Sequence, residues 1–125
     1  MEMVIGDTFL IRNPKNETTH LYIIVAQSQE ESLLFNVTSF NLNKDTTCIL
    51  NAGEHPFIIK ESVINYDDAI LVVTKNILDL LNKNIISSHK KATGSLVAKI
   101  VQGARKTDAI SLKHLNFINS FGELE

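Results

Sequence analysis

Apolar and polar positions follow two rhythms along this chain, and the change comes near residue 74. Upstream, short apolar runs are separated by polar turns, the rhythm of strands. Thr8 to Arg12 is a short apolar strand entered through Gly6-Asp7, a pair suited to a turn. Asn13 to Thr19 is polar throughout and contains Pro14, so it reads as an exposed loop. His20 to Ala26 is dense in branched and aromatic residues without alternation, which predicts a central strand buried on both faces. Ser32 to Val37 follows after a link short enough for an antiparallel hairpin. Further strands are expected at 46–50, 56–59, 62–66 and 69–74, with a turn at Asn51 to Glu54.

Downstream the spacing becomes helical. Ile77, Leu78, Leu80, Leu81 and Ile85 form one stripe, with Thr74 available as a cap. Leu96, Val97, Ile100, Val101 and Ala104 form a second over 95–105, joined to the first by a connection at 88–94. A third, over 111–118, is capped by Ser111 and buries Leu112, Leu115 and Ile118. Strands first and helices afterwards argue a single mainly β domain over 1–125, an antiparallel barrel at about 5–73 followed by a helical part at about 74–121.

Composition narrows the class. Of 125 residues, 44% are hydrophobic and 21% charged, which is globular and excludes a disordered or collagenous chain. No apolar run approaches the roughly 18 to 20 residues that span a bilayer. The first residues carry an acid where a secretory signal carries a positive charge, and the single cysteine cannot form an internal disulfide, so a cytoplasmic protein is expected. The net charge of −2 hides an asymmetry: residues 1–62 balance to −4 and residues 74–114 to +6. One end of the molecule is therefore expected to be basic, either as solvated surface or as an attraction for phosphate.

Polar residues at strand ends are the candidates for chemistry. His20 opens the buried strand, where an imidazole serves as acid, base or phosphate donor, or else as a hydrogen-bonded histidine at the edge of the core. Thr38 and Ser39 close the next strand and offer two hydroxyls to a ligand oxygen, although such residues also close turns for local reasons. Asp45, Cys48 and His55 invite two other readings, a metal site or a Cys-His hydrolase. The first lacks the paired spacing of zinc ligands, and the second needs a thiol that is exposed rather than packed in a strand. No metal or other cofactor is expected. Glycine-rich phosphate loops, G-x-S-x-G elbows and H-E-x-x-H helices do not occur.

The order Ile5-Gly6-Asp7-Thr8-Phe9-Leu10, polar loop, His20-Leu21-Tyr22-Ile23-Ile24-Val25 and Leu34-Phe35-Asn36-Val37-Thr38-Ser39 resembles the MazF/PemK-like toxins. The stretch from Asp45 through Gly53-Glu54-His55-Pro56 to Tyr66 looks like a divergent PemK-like branch. The resemblance implies an SH3-like antiparallel β-barrel with added helices, a homodimer, neutralisation by a cognate antitoxin protein, and metal-independent cleavage of single-stranded RNA. The family's Thr-Ser pair falls on Thr38 and Ser39, and its catalytic arginine falls on His20. That replacement exchanges a permanent cation for a group that can lose its proton. His20, Thr38 and Ser39 become the implied catalytic set, and the phosphate charge is left to His55, Arg12, Lys44 or Lys60. The other reading is a non-catalytic SH3-like module that binds protein or nucleic acid in a mobile-element or defence system.

Overall fold

The computed structural model describes residues 2–13 and 17–122, so Pro14, Lys15 and Asn16 of the expected polar loop lie outside the described residues. Its elements run β1 (Thr8–Arg12), β2 (Thr19–Gln27), β3 (Glu31–Ser39), β4 (Ile49–Leu50), β5 (Ser62–Val73), α1 (Thr74–Asn82), β6 (Ser87–His89), α2 (Gly94–Ala104) and α3 (Leu112–Phe121). The strands form one sheet in the order β4-β5-β3-β2-β1-β6, with every pairing antiparallel. The expectation of a mainly antiparallel β fold with helices added holds. The sheet curls as a half-barrel instead of closing, because its two ends are the short strands β4 and β6 and these do not pair.

Position in the sheet follows from what each strand has to bury. The apolar run at 20–26 becomes β2, between β1 and β3, and Leu21 to Ala26 are all fully or almost fully buried. Because successive side chains alternate, such a strand needs cover on both faces. On one face α2 and α3 bring Leu96, Val97, Ile100, Val101, Ala104 and Ile118 onto Leu21, Ile23, Phe35, Val37 and Tyr66. On the other, Ile77 of α1 joins Met3, Phe9, Tyr22, Ile24, Leu34 and Ile86.

Several expected boundaries change. The strands anticipated at 62–66 and 69–74 are one strand, β5, but its register against β3 jumps between Asn36↔Asn65 and Leu34↔Ile70. The bulge falls where the hydrophobic pattern is broken by Asp67 and Asp68. No strand forms at 56–59. There the backbone turns back on itself, with the Ile58 amide donating to the His55 carbonyl and the Gly53 amide to the Ile58 carbonyl, and Ile59 is 84% exposed. The strand expected over 46–50 shrinks to Ile49–Leu50. Thr74 does not cap α1; Val73 takes that position and the Thr74 hydroxyl lies 2.6 Å from that of Ser32. Ser111 does cap α3, accepting from the His114 amide at 3.2 Å, whereas Leu112 is exposed because it faces away from the sheet. Strand β6 was not expected. Its residues Ser87, Ser88 and His89 carry no apolar signal, and β1 supplies the pairing through Phe9↔Ser88 and its neighbours.

Two glycines permit close approaches. Gly6, at φ 98°, donates to the Ile24 carbonyl and accepts from the Ala92 amide, both at 2.8 Å, which holds the entry to β1. Gly103, inside α2, faces Tyr66, whose hydroxyl donates to the Ile100 carbonyl at 2.7 Å. A Cβ at position 103 would collide with that hydroxyl and stand 3.0 Å from the Cys48 Cβ. Gly103→Ala is therefore expected to destabilise the fold by about 1 to 3 kcal/mol in urea unfolding, despite alanine's better helix propensity. In the Gly103→Ala/Tyr66→Phe double variant part of that loss should vanish, because the colliding oxygen is gone. Strictly additive losses would mean that the hydroxyl is not what limits the approach.

Candidate functional site

β2 and β3 pair at Leu21↔Val37, and one residue further out the strands emerge from beneath the helices at His20 and Thr38. A half-buried His20, a half-buried Thr38 and an exposed Ser39 line one open cavity of about 340 Å³, together with Thr18, Thr19, Phe57, Lys60 and Ser62. Val37, Phe57 and Ile59 give the same cavity an apolar wall. The three residues singled out as a catalytic set are thus brought together.

His20 is oriented from both sides of its ring. Nδ1 lies 3.2 Å from the Val37 carbonyl oxygen and Nε2 lies 3.3 Å from the Thr18 hydroxyl. A carbonyl only accepts, so the neutral ring carries its proton on Nδ1 and presents the lone pair of Nε2 on the Thr18 side. Lys44 reaches the same rim. Its Nζ donates to the Thr38 hydroxyl and to the Ser39 carbonyl, both at 2.9 Å, and so anchors the 40–48 loop to the end of β3. Lys60, contributed by the turn before β5, has no side-chain partner among the described residues. The cavity's cations therefore come from the acidic part of the chain. The basic stretch at 74–114 is instead divided between elements on opposite faces of the sheet, with Lys75 on α1 and Lys99 on α2, the latter paired to Glu54 at 2.9 Å.

The remaining candidates lie elsewhere. Arg12 is exposed and pairs with Glu17 at 3.0 Å. His55 is 2% exposed and outside the cavity lining; its Nε2 donates to the Lys90 carbonyl at 2.6 Å while its Nδ1 accepts from the Phe57 amide at 3.0 Å. Both nitrogens are thus committed to the backbone, and burial holds the imidazole below its usual pKa. Asp45 accepts from the amide and hydroxyl of Thr47 and from the Thr107 hydroxyl. Burial works against its charge, but these hydrogen bonds outweigh it and hold the carboxyl below its ordinary range. The Cys48 thiol is buried with its Sγ 3.8 Å from the Lys99 carbonyl, and burial raises its pKa. Among the described residues no three His, Cys, Asp or Glu side chains gather as metal ligands.

Sequence reasoning missed two polar positions. Thr18 sat in a segment read only as a loop, and its hydroxyl becomes meaningful once Thr19 pairs with Arg12. Asn36 is 3% exposed and donates from Nδ2 to the Tyr22 hydroxyl and to Asp68, an arrangement invisible before the β5 bulge is known. Compared with protein-family models, with curated proteins and with solved structures, the chain has no match.

The His55 geometry sets a pH dependence. In the unfolded chain the ring takes a proton near pH 6.5, whereas in the fold the proton would have to enter a buried site where Nδ1 already accepts. Stability is therefore complete above about pH 7 and falls as the pH drops through the unfolded value toward the lower folded one. Thermal melts from pH 7.5 to 5 should show this decline, and His55→Asn, though less stable overall, should show a shallower one. His114, also lowered by burial and by Lys113, contributes in the same sense and leaves a residual slope. An unchanged slope in His55→Asn would assign the whole effect elsewhere.

Proposed function

We propose that the cavity is a phosphodiester site and that the protein is a metal-independent endoribonuclease acting on single-stranded RNA. One observation carries the reading: His20, Thr38 and Ser39 share an open cavity with Lys60, and the Lys44 ammonium sits 2.9 Å from the Thr38 hydroxyl. His20 would take the 2′-hydroxyl proton on Nε2 while Val37 holds the ring through Nδ1. The 2′-oxygen bonds to the adjacent phosphorus as the bond from phosphorus to the 5′-oxygen breaks. The departing oxygen takes a proton from water, and a 2′,3′-cyclic phosphate remains. Hydroxyls of Thr38 and Ser39 donate to the phosphate, and Lys44 and Lys60 meet the charge that grows on it.

The same reading carries the fold type and the partners. The half-barrel would be a variant of the SH3-like barrel of MazF/PemK-like toxins, the protein a homodimer acting in the cytoplasm, and its inhibitor a cognate antitoxin. A small antitoxin-like gene beside this one would support it.

Purified protein is expected to cleave single-stranded RNA in EDTA. His20→Ala should lower the rate by about 10²- to 10⁴-fold while the melt stays within a few degrees of wild type, because a half-buried ring with two weak contacts contributes little to stability. Absence of cleavage across a broad panel of RNA sequences would sink the enzymatic reading. A second expectation concerns Lys60→Met, which should raise KM and reduce the salt dependence of RNA binding by about one unit of slope, leaving kcat less affected. The alternative, an SH3-like module that binds nucleic acid or a protein tail, is favoured by one observation, that both His20 nitrogens already have protein partners. It would show RNA or peptide binding that weakens in His20→Ala, without cleavage by either form.

A further inference from the structure

The longest open strand edge among the described residues belongs to β5. Its inner side pairs with β3 as far as Glu31↔Val73. Its outer side is covered by β4 only at Ser62 and Val63, with one further bond from the Ile64 amide to the Cys48 carbonyl. From residue 67 to 73 that outer side has no backbone partner among the described residues. The Thr74 amide donates inward to the Glu30 carbonyl at 2.8 Å, so strict alternation turns the N–H and C=O groups of Ile70 and Val72 inward as well. Those of Leu71 and Val73 point out, unpaired. Edges are normally blunted by proline, charged side chains, a bulge or a very short strand; the bulge and Asp67-Asp68 end before residues 69–73, Ala-Ile-Leu-Val-Val, which carry neither proline nor charge.

We propose that this edge joins two copies of the chain, β5 against β5 in antiparallel register about a two-fold axis through Leu71, so that one continuous sheet runs across the pair. The axis sets Leu71 against itself, Ile70 against Val72 and Ala69 against Val73. The backbone groups of Leu71 and Val73 that point outward then meet groups that point outward on the partner. Side chains match as well. Ile70 and Val73 are 37% and 44% exposed in the single chain. Paired, Ile70 and Val72 extend the cluster beneath α1, while Ala69, Leu71 and Val73 extend the one beneath α2 and α3. The ends are complementary in charge. Asp67 at one end and Lys75 at the other have no side-chain partner among the described residues, and the two-fold brings each toward the other on the partner, twice per dimer. An isologous interface requires such self-complementarity. The proposal gives the homodimer of the reading above its interface, and its readouts do not depend on RNA cleavage.

The test uses the full chain, by sedimentation velocity at tens of micromolar and by amide hydrogen exchange. A dimer is expected, with the Leu71 and Val73 amides protected. Val73→Pro removes one outward N–H at a residue whose φ is already −63°, so the fold should persist and the dimer should be lost. Ile70→Lys should act likewise if the proline variant fails to fold. Asp67→Lys should weaken the dimer at least tenfold, and adding Lys75→Asp should restore it. A wild-type monomer with rapidly exchanging Leu71 and Val73 amides overturns self-pairing and leaves the edge to an extended segment of another protein. A dimer that survives both Val73→Pro and Ile70→Lys overturns it equally, since the contact would then lie on another surface.

Discussion

Burial of β2 on both faces is the constraint from which the rest of the architecture follows. A strand whose six central residues are all apolar has no solvent side, so the chain has to supply two layers of cover. It does so with α1 on one face and with α2 and α3 on the other, and each helix carries the stripe its face requires. Two-sided cover also determines where chemistry can sit. With both faces of the sheet occupied, the strand ends are where polar side chains and open space coincide, and His20, Thr38 and Ser39 lie at the first positions beyond the helices.

The parts legible in the sequence were those where a local signal and the tertiary environment agree. The unbroken run at 20–26 could only be an inner strand, the stripe at 96–104 could only be a packed helix, and Ser111 could cap because its hydroxyl acts on the amide three residues on. The illegible parts were made by partners distant in the chain. Ser87 to His89 has no strand pattern and becomes one because β1 offers it an edge. Pro56 to Ile59 has an apolar pattern and stays a turn because His55 takes the Phe57 amide with its ring and the Ile58 amide with its carbonyl. Asp67-Asp68 looked like the end of a strand and is a bulge within one.

The candidate site divides in the same way. The grouping of His20 with Thr38 and Ser39 is what the family resemblance implies, and the hairpin pairing at Leu21↔Val37 is what brings the three side chains to one place. Demoting His55 needed the Lys90 carbonyl, 35 residues away, and no pattern in the sequence connects the two. Histidines at 20 and 55 look alike as residue types. What separates them is that one lies where the helices end, while the other lies where three segments of backbone meet.

That meeting point has a kinetic meaning. The Lys90 carbonyl accepts from the Thr8 hydroxyl as well as from His55, so one oxygen ties residues separated from it by 82 and 35 positions. The hairpins β1–β2 and β2–β3 are local and close quickly, whereas this tie has to wait for one of the longest loop closures in the molecule. On a ribosome, Thr8 and His55 are made well before their shared acceptor emerges. The β6 margin of the sheet should thus be the last part to form and the first to open, exposing the edge of β1 while the centre of the sheet remains intact.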